Sequence, residues 1–362
     1  MGQFDKYLYT FPQEGGEWFG MITPRGFLRG NKELKTSNLT IDFTALTKAQ
    51  PMDVPHFHPI DEYILFIGAD LKEFFNFDAE LHFWIGEDPE HMEMVPIKQS
   101  SIIRVPAGTY HAPTFFKEFR APLDGSALYP SGDFRTVQRR VKENGAYEYV
   151  YSGEGIGQCI KNPKVKCTFC GKCVAEQMAI FEKDENGELS EAAKEYLRPY
   201  YEMAEKNQTH RFDKYIYPFK PMENDNPNLL GPRAGFRGEE EIEGARVSFM
   251  FNIVQKECQL GDIHMHPNTE EYLFFFGSDI KKFFDFDAVI EVRMGEDPDH
   301  METYTFDKPT VVQIPQGIWH GPVTFRRIGA PINYMPVYLN GKYGKVVREG
   351  GVDVYKTGGI PE

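Results

Sequence analysis

The sequence predicts an all-β protein, and three features of the 362-residue chain predict it. Aromatic residues make up 14% of the chain, with 30 Phe and 19 Tyr, and aromatic side chains favour strands. The 33 Gly and 25 Pro divide the sequence into short segments, which is typical of strands separated by turns. Short β-branched and aromatic runs, such as 245–254 and 310–314, lie between those turns. These runs are expected to build β-sandwiches or barrels.

Length and charge restrict the classes of protein and partner. At roughly 100–200 residues per domain, the chain has room for two domains with their own cores. With 40 Lys and Arg against 54 Asp and Glu, the net charge is −14, which repels nucleic acids and anionic membranes. The most apolar stretch, 272–276, is far shorter than the roughly 18 residues of a membrane span. We expect no nucleic-acid and no membrane partner.

An internal repeat with an offset of 208 residues, from Phe4 to Phe212, runs through the chain. An offset this long makes each copy a whole domain, not a solenoid unit. We predict two domains of one fold, 1–152 and 209–362, separated by a segment at 153–208. The matching segments are FDKYLYTF and FDKYIYPF, PRGFLRG and PRAGFRG, HFHP and HMHP, EYILFIGADLKEFFNFDA and EYLFFFGSDIKKFFDFDA, GEDPEHME and GEDPDHME, and PAGTYHAP and PQGIWHGP.

The segment between the copies differs from both, because a Cys-rich loop is followed by a charged, Ala-containing stretch. Ser190 is suited to cap a helix there, and Pro199 is expected to kink or split it. This is the only convincing helix that the sequence predicts. The insert is therefore a small Cys-rich and helical linker between two β domains.

The five cysteines are an odd number, and three lie in CTFCGKC, so metal ligation fits better than an extracellular disulfide framework. The first residues also lack the basic start and apolar run of a secretory signal, so we expect a reduced, cytoplasmic protein. Gln177 stands where a ferredoxin pattern has another Cys, and free or redox-active thiols are the alternative. Cys258 is expected to pack as a small apolar side chain. The cysteines predicted to hold structural Zn or an iron–sulfur cluster are Cys159, Cys167, Cys170 and Cys173.

Histidine and glutamate residues recur in register in the two copies. In the first copy, His56 and His58 are two apart in a strand, so both imidazoles leave the same face. Glu62 follows just beyond a turn, and PAGTYH brings His111 back across the same interior. Three imidazoles and a carboxylate suit Fe(II), Mn(II), Ni(II), Co(II) or Zn(II), and are too nitrogen-rich for Ca or Mg. The second copy repeats the set with His264, His266, Glu271 and His320, where the EY dipeptide selects Glu271 over Glu270.

These motifs resemble the two signatures of the cupins, HxH-x(3,4)-E-x(5,6)-G and PxGxxH, and their duplication resembles the two-domain bicupins. The resemblance covers both copies but not the Cys insert. It implies two jelly-roll barrels, also described as double-stranded β-helices, each closed around a metal. The family often carries Asn four residues after the last His, whereas Phe115 and Thr324 stand there. The remaining motif residues are Gly68, Pro106 and Gly108, and Gly277, Pro315 and Gly317.

Four protein ligands leave open positions on an ion that prefers five or six. The leading hypothesis is an enzyme that acts on a small oxygenated molecule bound directly to the metal of one or both barrels. The resemblance adds dioxygenase, decarboxylase, isomerase and lyase reactions. The alternative is a protein that binds or senses a small molecule through its metal without turnover, because the motifs contain no further acid or base beyond tyrosines. A storage or structural role is disfavoured, and a homo-oligomer is left open.

Other conspicuous residues have simpler interpretations. Among the histidines, His91 and His300 lie at solvated turn tips, and His82 and His210 are predicted to be polar surface. The recurrent arginines are expected to form surface ion pairs more readily than to hold a carboxylate in a pocket. Tyr110, Trp319, Phe74 and Phe283 are expected to pack. The arginines are Arg25, Arg29, Arg233 and Arg237.

Overall fold

The computed structural model describes residues 2–13, 25–49, 54–133, 135–153, 181, 183 and 187–358. The strands of the first part are β1 (Leu8–Thr10), β2 (Gly26–Arg29), β3 (Thr40–Phe43), β4 (Ala45–Leu46), β5 (Glu62–Gly68), β6 (Ala79–Gly86), β7 (Met92–Ile97), β8 (Ser101–Val105), β9 (Tyr110–Phe119), β10 (Leu123–Tyr129), β11 (Arg135–Val141) and β12 (Tyr147–Gly153). The second part has β13 (Ile216–Pro218), β14 (Leu229–Phe236), β15 (Ser248–Val254), β16 (Cys258–Leu260), β17 (His264–Met265), β18 (Glu271–Gly277), β19 (Ala288–Asp297), β20 (His300–Phe306), β21 (Thr310–Ile314), β22 (Trp319–Ile328), β23 (Ile332–Tyr338), β24 (Tyr343–Glu349) and β25 (Val352–Gly358). Single 3₁₀ turns span Asp5–Tyr7, Gly30–Lys32, Leu71–Glu73, Asp213–Tyr215, Gly238–Glu240 and Ile280–Lys282.

The two copies contain corresponding sheets. The interface sheet, which faces the other copy, has the order β13-β8-β5-β10-β3-β2 in the first copy and β1-β21-β18-β23-β15-β14 in the second. The opposite sheet of each barrel is β7-β6-β9 in the first copy and β20-β19-β22-β17-β24-β25 in the second, where β16 also pairs with β22. Neighbouring strands are antiparallel throughout both interface sheets. The all-β prediction and the prediction of one duplicated barrel fold are confirmed.

The copies exchange their first strands. β1 pairs with β21, where Leu8 lies opposite Val312, and β13 pairs with β8, where Ile216 lies opposite Ile103. Each interface sheet is therefore completed by a strand from the other copy. This exchange ties residues near the start of the chain to the second barrel, which an internal repeat alone does not reveal.

The central strands bury both faces, which explains their continuous apolar sequences. In β5, Ile64 and Phe66 belong to the core inside the first barrel, whereas Leu65 and Ile67 face a core shared with the second copy. β18 behaves in the same way, with Phe275 inside its barrel and Phe274 and Phe276 in the shared core. Phe74 and Phe283 also lie in the shared core, as predicted from their recurrence. The two interface sheets thus pack on each other through one aromatic layer.

The predicted helix is present as α1 (Glu191–Lys206), and of the predicted kink or split at Pro199 the split does not occur. The Ser190 hydroxyl caps the helix, accepting a hydrogen bond from the backbone N–H of Ala193 at 3.1 Å. The rings of Tyr200 and Tyr201 pack against Trp84 of β6, with centroids 5.8 and 5.3 Å away. The packing of these two tyrosines, which follow the proline, stabilises the helical backbone although Pro199 has no N–H to donate. No helix in the described part of the chain is long and apolar enough to cross a membrane.

Asp124 on β10 is a buried acid that should make stability depend on pH. Its side chain is 1% exposed, and the Ser126 hydroxyl donates to Oδ1 at 2.5 Å. Burial, and the nearby charge of Asp42, raise the pKa of Asp124 from 3.8 to about 8, against the lowering effect of the Ser126 hydrogen bond. The folded state thus holds this proton more tightly than the unfolded chain. The contribution of this protonated carboxyl to the free energy of unfolding is fully present below about pH 4 and is lost as the pH rises towards about 8.

Asn333 occupies the equivalent position on β23 of the second copy, which makes Asp124→Asn the natural test. We expect this variant to raise the free energy of unfolding by on the order of 3 kcal/mol at pH 7 and by little at pH 4. Urea unfolding at both pH values measures the change. Asp307→Asn, at an exposed position, is the control and is expected to shift neither midpoint. Equal changes for Asp124→Asn at both pH values would contradict the prediction.

Candidate metal centres

In the first barrel, three histidines meet because a short ladder joins distant segments. His56 and His111 form a backbone bridge, and each backbone N–H donates to the carbonyl of the other, at 3.2 and 2.9 Å. Their rings lie 4.2 Å apart between centroids, and the ring of His58 lies 5.0 and 5.3 Å from them. Glu62 is the first residue of β5, and its carboxyl is buried beside them. The structure therefore brings together the four residues predicted as ligands in this copy.

The second barrel repeats this arrangement from its own residues. His264 on β17 pairs with His320 on β22, and their ring centroids are again 4.2 Å apart. Glu271 begins β18, as Glu62 begins β5, which places Glu271 and not Glu270 in the cluster. One ligand atom from each of the four residues lies within 4.8 Å of the others. In the first barrel the three histidines satisfy the same limit.

The hydrogen bonds of the imidazoles fix which nitrogen faces the cluster. In all six histidines, Nδ1 lies next to a backbone carbonyl, which can only accept a hydrogen bond. Nδ1 therefore donates, and the neutral ring leaves a lone pair on Nε2, as in metal-bound histidine. The pairs are His56 with Val54 (2.7 Å), His58 with Arg135 (2.9 Å), His111 with Thr109 (3.3 Å), His264 with Asp262 (2.8 Å), His266 with Gly344 (2.9 Å) and His320 with Ile318 (3.0 Å).

The carboxylates face those Nε2 atoms directly. Oε2 of Glu62 lies 2.8 Å from Nε2 of His111 and 3.5 Å from Nε2 of His58. Oε2 of Glu271 lies 2.7 Å from Nε2 of His320, which reproduces the contact in the second barrel. Buried lone pairs this close repel each other unless a proton or a cation lies between them. The donor set thus fits a divalent transition metal in each barrel.

The lowered pKa values of the two glutamates show that each cluster favours an ionised carboxylate, which can compensate positive charge. Burial alone would raise the pKa of Glu271, but His320 and His266 hold it well below its ordinary value, and Glu62 behaves in the same way. Burial and the neighbouring His320 lower the pKa of His264 to about 3, which favours the neutral ligand form. Burial opposes protonation of His266 as well, yet the Glu271 carboxylate raises its pKa. A proton on His266 therefore competes with a metal ion for the same place.

One tyrosine lies beside each cluster, and neither was among the candidate site residues predicted from the sequence. The Tyr129 hydroxyl donates to Oε1 of Glu62 at 2.5 Å, and its ring lies 5.1 Å from that of His58. Tyr338 places its ring 5.2 Å from that of His266. Both tyrosines end equivalent strands, β10 and β23, so their recurrence in the two copies was the signal that could have found them.

The second cluster opens into a pocket of about 530 Å³. His264, His266, Glu271 and His320 line it, and apolar walls come from Leu273 and Val323. Charged lining residues include Arg233, Lys345 and Lys356. A volume of this size suits a small molecule that contacts the cluster. Arg233 thus lies in a pocket, contrary to the expectation of a surface ion pair.

The other weighed residues mostly lie where the sequence predicts. His91, His300 and His210 are exposed, and each faces a nearby aspartate. Tyr110 and Trp319 are buried by packing, and Cys258 is half-buried beside apolar neighbours. Arg29 forms an ion pair with Glu33, Arg237 lies 4.0 Å from Glu240, and Arg25 pairs with Asp42. The Cys159, Cys167, Cys170 and Cys173 set lies outside the described residues, and its Zn or iron–sulfur interpretation stays a prediction.

The prediction that His82 is polar surface is wrong. His82 on β6 is 6% exposed, and its Nδ1 lies 2.7 Å from the Tyr201 hydroxyl of α1. Its Nε2 lies 3.1 Å from Glu80. The helix covers this face of the first barrel and has no equivalent among the described residues of the second copy, so comparison of the two copies could not reveal the burial.

Comparisons with known proteins agree with this architecture. No family model and no curated protein matches the chain. Among solved structures, the oxalate decarboxylase of Lactobacillus farciminis in a formate complex has a TM-score of 0.54 at 15% identity, over 95% of this chain and 89% of that chain. The oxalate decarboxylase of Bacillus subtilis has a TM-score of 0.53 at 13% identity, over 96% and 79%. The chain therefore has the bicupin fold, with a candidate metal centre in each barrel.

Proposed function

We propose that this bicupin is a metal-dependent enzyme that acts on a small oxygenated molecule bound directly to a 3-His-1-Glu centre. One observation carries the proposal: buried Nε2 lone pairs and a carboxylate oxygen converge at one point, and in the second barrel that point opens into a pocket of about 530 Å³. Ligands without a pocket would suit a purely structural metal. A centre that opens into a pocket suits a metal that binds a substrate.

A divalent metal held by these residues would polarise a carbonyl or stabilise an enolate. The chain supplies the surroundings that such chemistry needs. Backbone carbonyls hold the imidazoles in one tautomer, and Glu271 or Glu62 offsets two positive charges in part. Leu273 and Val323 form apolar walls beside the second centre, and the Tyr129 hydroxyl donates a hydrogen bond to Glu62 in the first.

The reaction class is proposed as dioxygenase, decarboxylase, isomerase or lyase. The two named structural neighbours are oxalate decarboxylases, and one was solved as a formate complex. At 13–15% identity this likeness supports the fold, and it makes small oxyacids a reasonable first class of substrate to test. Fe, Mn, Ni, Co and Zn all remain candidates for the metal.

Metal content and ligand exchange test the proposal. Protein purified without chelators should contain two transition-metal equivalents in the barrels. After reloading with Mn(II), oxyacids, carbonyl compounds and nitric oxide as a dioxygen mimic are added, and water-proton relaxation is measured. At least one probe should lower the relaxation enhancement by displacing water. If none of these probes displaces water, the proposed enzyme function is wrong. A probe that binds but is never converted supports instead the binding or sensing alternative.

A further inference from the structure

The two barrels differ at one pair of equivalent arginines. Arg25 directly precedes β2, and Arg233 lies in β14 at the same register, because Gly26 opposite Phe43 matches Ala234 opposite Phe251. These arginines belong to the recurrent PRGFLRG and PRAGFRG segments. They hold equivalent register positions, but the surroundings of their guanidinium groups differ.

In the first barrel, an aspartate of the same barrel compensates the charge of Arg25. Nη1 of Arg25 donates to Oδ2 of Asp42 at 3.1 Å and to the hydroxyl of Thr44 at 3.0 Å. The side chains of Arg25 and Asp42 are only 22% and 20% exposed, so this ion pair is screened little by solvent. A ligand anion would have to compete with Asp42 for this guanidinium.

In the second barrel, the equivalent carboxylate is missing. Register places Met250 where Asp42 stands and Asn252 where Thr44 stands, and both line the second pocket. Nε of Arg233 is buried, and the side chain makes no hydrogen bond or ion pair with another described residue. Burial alone lowers the pKa of Arg233, and no neighbouring charge contributes to the shift.

The other charged residues of this pocket do not compensate Arg233. Lys345 pairs with Asp262 at 2.9 Å, and Lys356 pairs with Glu349. Glu223 and Asp225 line the pocket, but neither forms an ion pair with Arg233. An uncompensated, partly buried guanidinium is costly, and a planar anion that accepts two parallel hydrogen bonds would offset the cost.

We propose that Arg233 binds the carboxylate of a small ligand whose other oxygen atoms reach the second metal centre. The first barrel lacks this anion site because its arginine, Arg25, already forms an ion pair with Asp42. This inference rests on the proposed function and adds the charge of the substrate to it. A singly charged carboxylate matches one free guanidinium, whereas a phosphate dianion would bring a second charge with no free cation among the described lining residues. The two barrels thus differ in the small molecules that they bind, although their candidate metal-binding residues are the same.

Calorimetric titration of the full-length, Mn(II)-loaded protein tests this assignment. The probes are glycolate, its neutral isostere glycolamide, and inorganic phosphate. We expect glycolate to bind at least about 10-fold more tightly than glycolamide, because only glycolate carries the charge. Arg233→Gln should weaken glycolate about 10- to 100-fold and leave glycolamide unchanged. Arg25→Gln is the matched control in the first barrel and should leave glycolate binding unchanged.

A second variant tests the same site without removing the arginine. Met250→Asp recreates the ion pair of the first barrel and should weaken glycolate to the level of Arg233→Gln. Circular dichroism verifies that each variant is folded, and the two variants act by independent routes. Three results would each overturn the assignment of Arg233 while leaving the proposed function intact. They are equal affinity for glycolate and glycolamide, unchanged glycolate binding in both variants, and a preference for phosphate. Absence of metal-dependent binding of either organic probe would overturn this inference, and the proposed function would fail with it only if the water-relaxation experiment also found no probe that displaces water.

Discussion

Substitution of His320 by alanine is expected to empty the second barrel of metal and leave the first barrel loaded. Nε2 of His320 lies 2.7 Å from Oε2 of Glu271, so its ring directs a nitrogen lone pair at the centre of the cluster. Changes in groups that merely support metal ligands cost about 10- to 100-fold in affinity, and loss of a ligand should cost at least the upper value. Elemental analysis after dialysis against metal-free buffer should give one equivalent in place of two.

The equivalent change in the other copy, His111→Ala, should empty the first barrel only. His300→Ala is the control, because the His300 side chain is 88% exposed at a turn tip and lies outside both clusters. It should retain two equivalents. Two retained equivalents in His320→Ala would show that this histidine is no ligand, and loss of both ions would show that the two centres are not independent.

The second large effect is expected in the aromatic layer between the copies. Phe276 is fully buried, and its ring lies 4.5 Å from that of Phe43 and 4.7 Å from that of Phe283. Phe276→Ala leaves a cavity in this layer and should reduce the free energy of unfolding by about 3–5 kcal/mol. Because both halves of the chain contribute to the layer and exchange β1 and β13, we expect one cooperative transition at lower denaturant.

Urea unfolding followed by circular dichroism and by tyrosine and tryptophan fluorescence measures this effect. Tyr355→Ala removes an aromatic ring that is 55% exposed on β25, and should shift the midpoint little. A Phe276→Ala protein that unfolds in two separate steps, with only one step displaced, would contradict the idea that the shared layer couples the barrels.

The candidate centres were predictable from sequence because their geometry depends on local periodicity. Side chains two apart in a strand leave the same face, so HFHP and HMHP already place His56 with His58 and His264 with His266 on one side. The EY dipeptide that follows fixed the choice of Glu271. The duplication strengthened each assignment, because the same four residue types recur at equivalent positions.

Residues whose roles depend on non-local neighbours were harder to predict. His82 is buried by a helix that has no counterpart in the described part of the second copy. That helix continues through Pro199, and the two tyrosines after the proline pack on Trp84. Arg25 and Arg233 lie in nearly identical segments, yet among the described residues only Arg25 has a carboxylate partner. That difference is set by Asp42 and Met250, which lie on neighbouring strands.

The sequence by itself determined that the chain is a duplicated all-β protein with an imidazole and carboxylate set in each copy. Strand alternation, turn residues and recurrent motifs are properties of short segments, and they retain their meaning wherever the segments lie. Only the tertiary structure decided that the copies exchange β1 and β13, that one aromatic layer joins them, and that Arg233 is left without a carboxylate partner among the described residues. Pairing, burial and charge compensation depend on side chains that are distant in sequence, so their outcome is fixed when the chain packs.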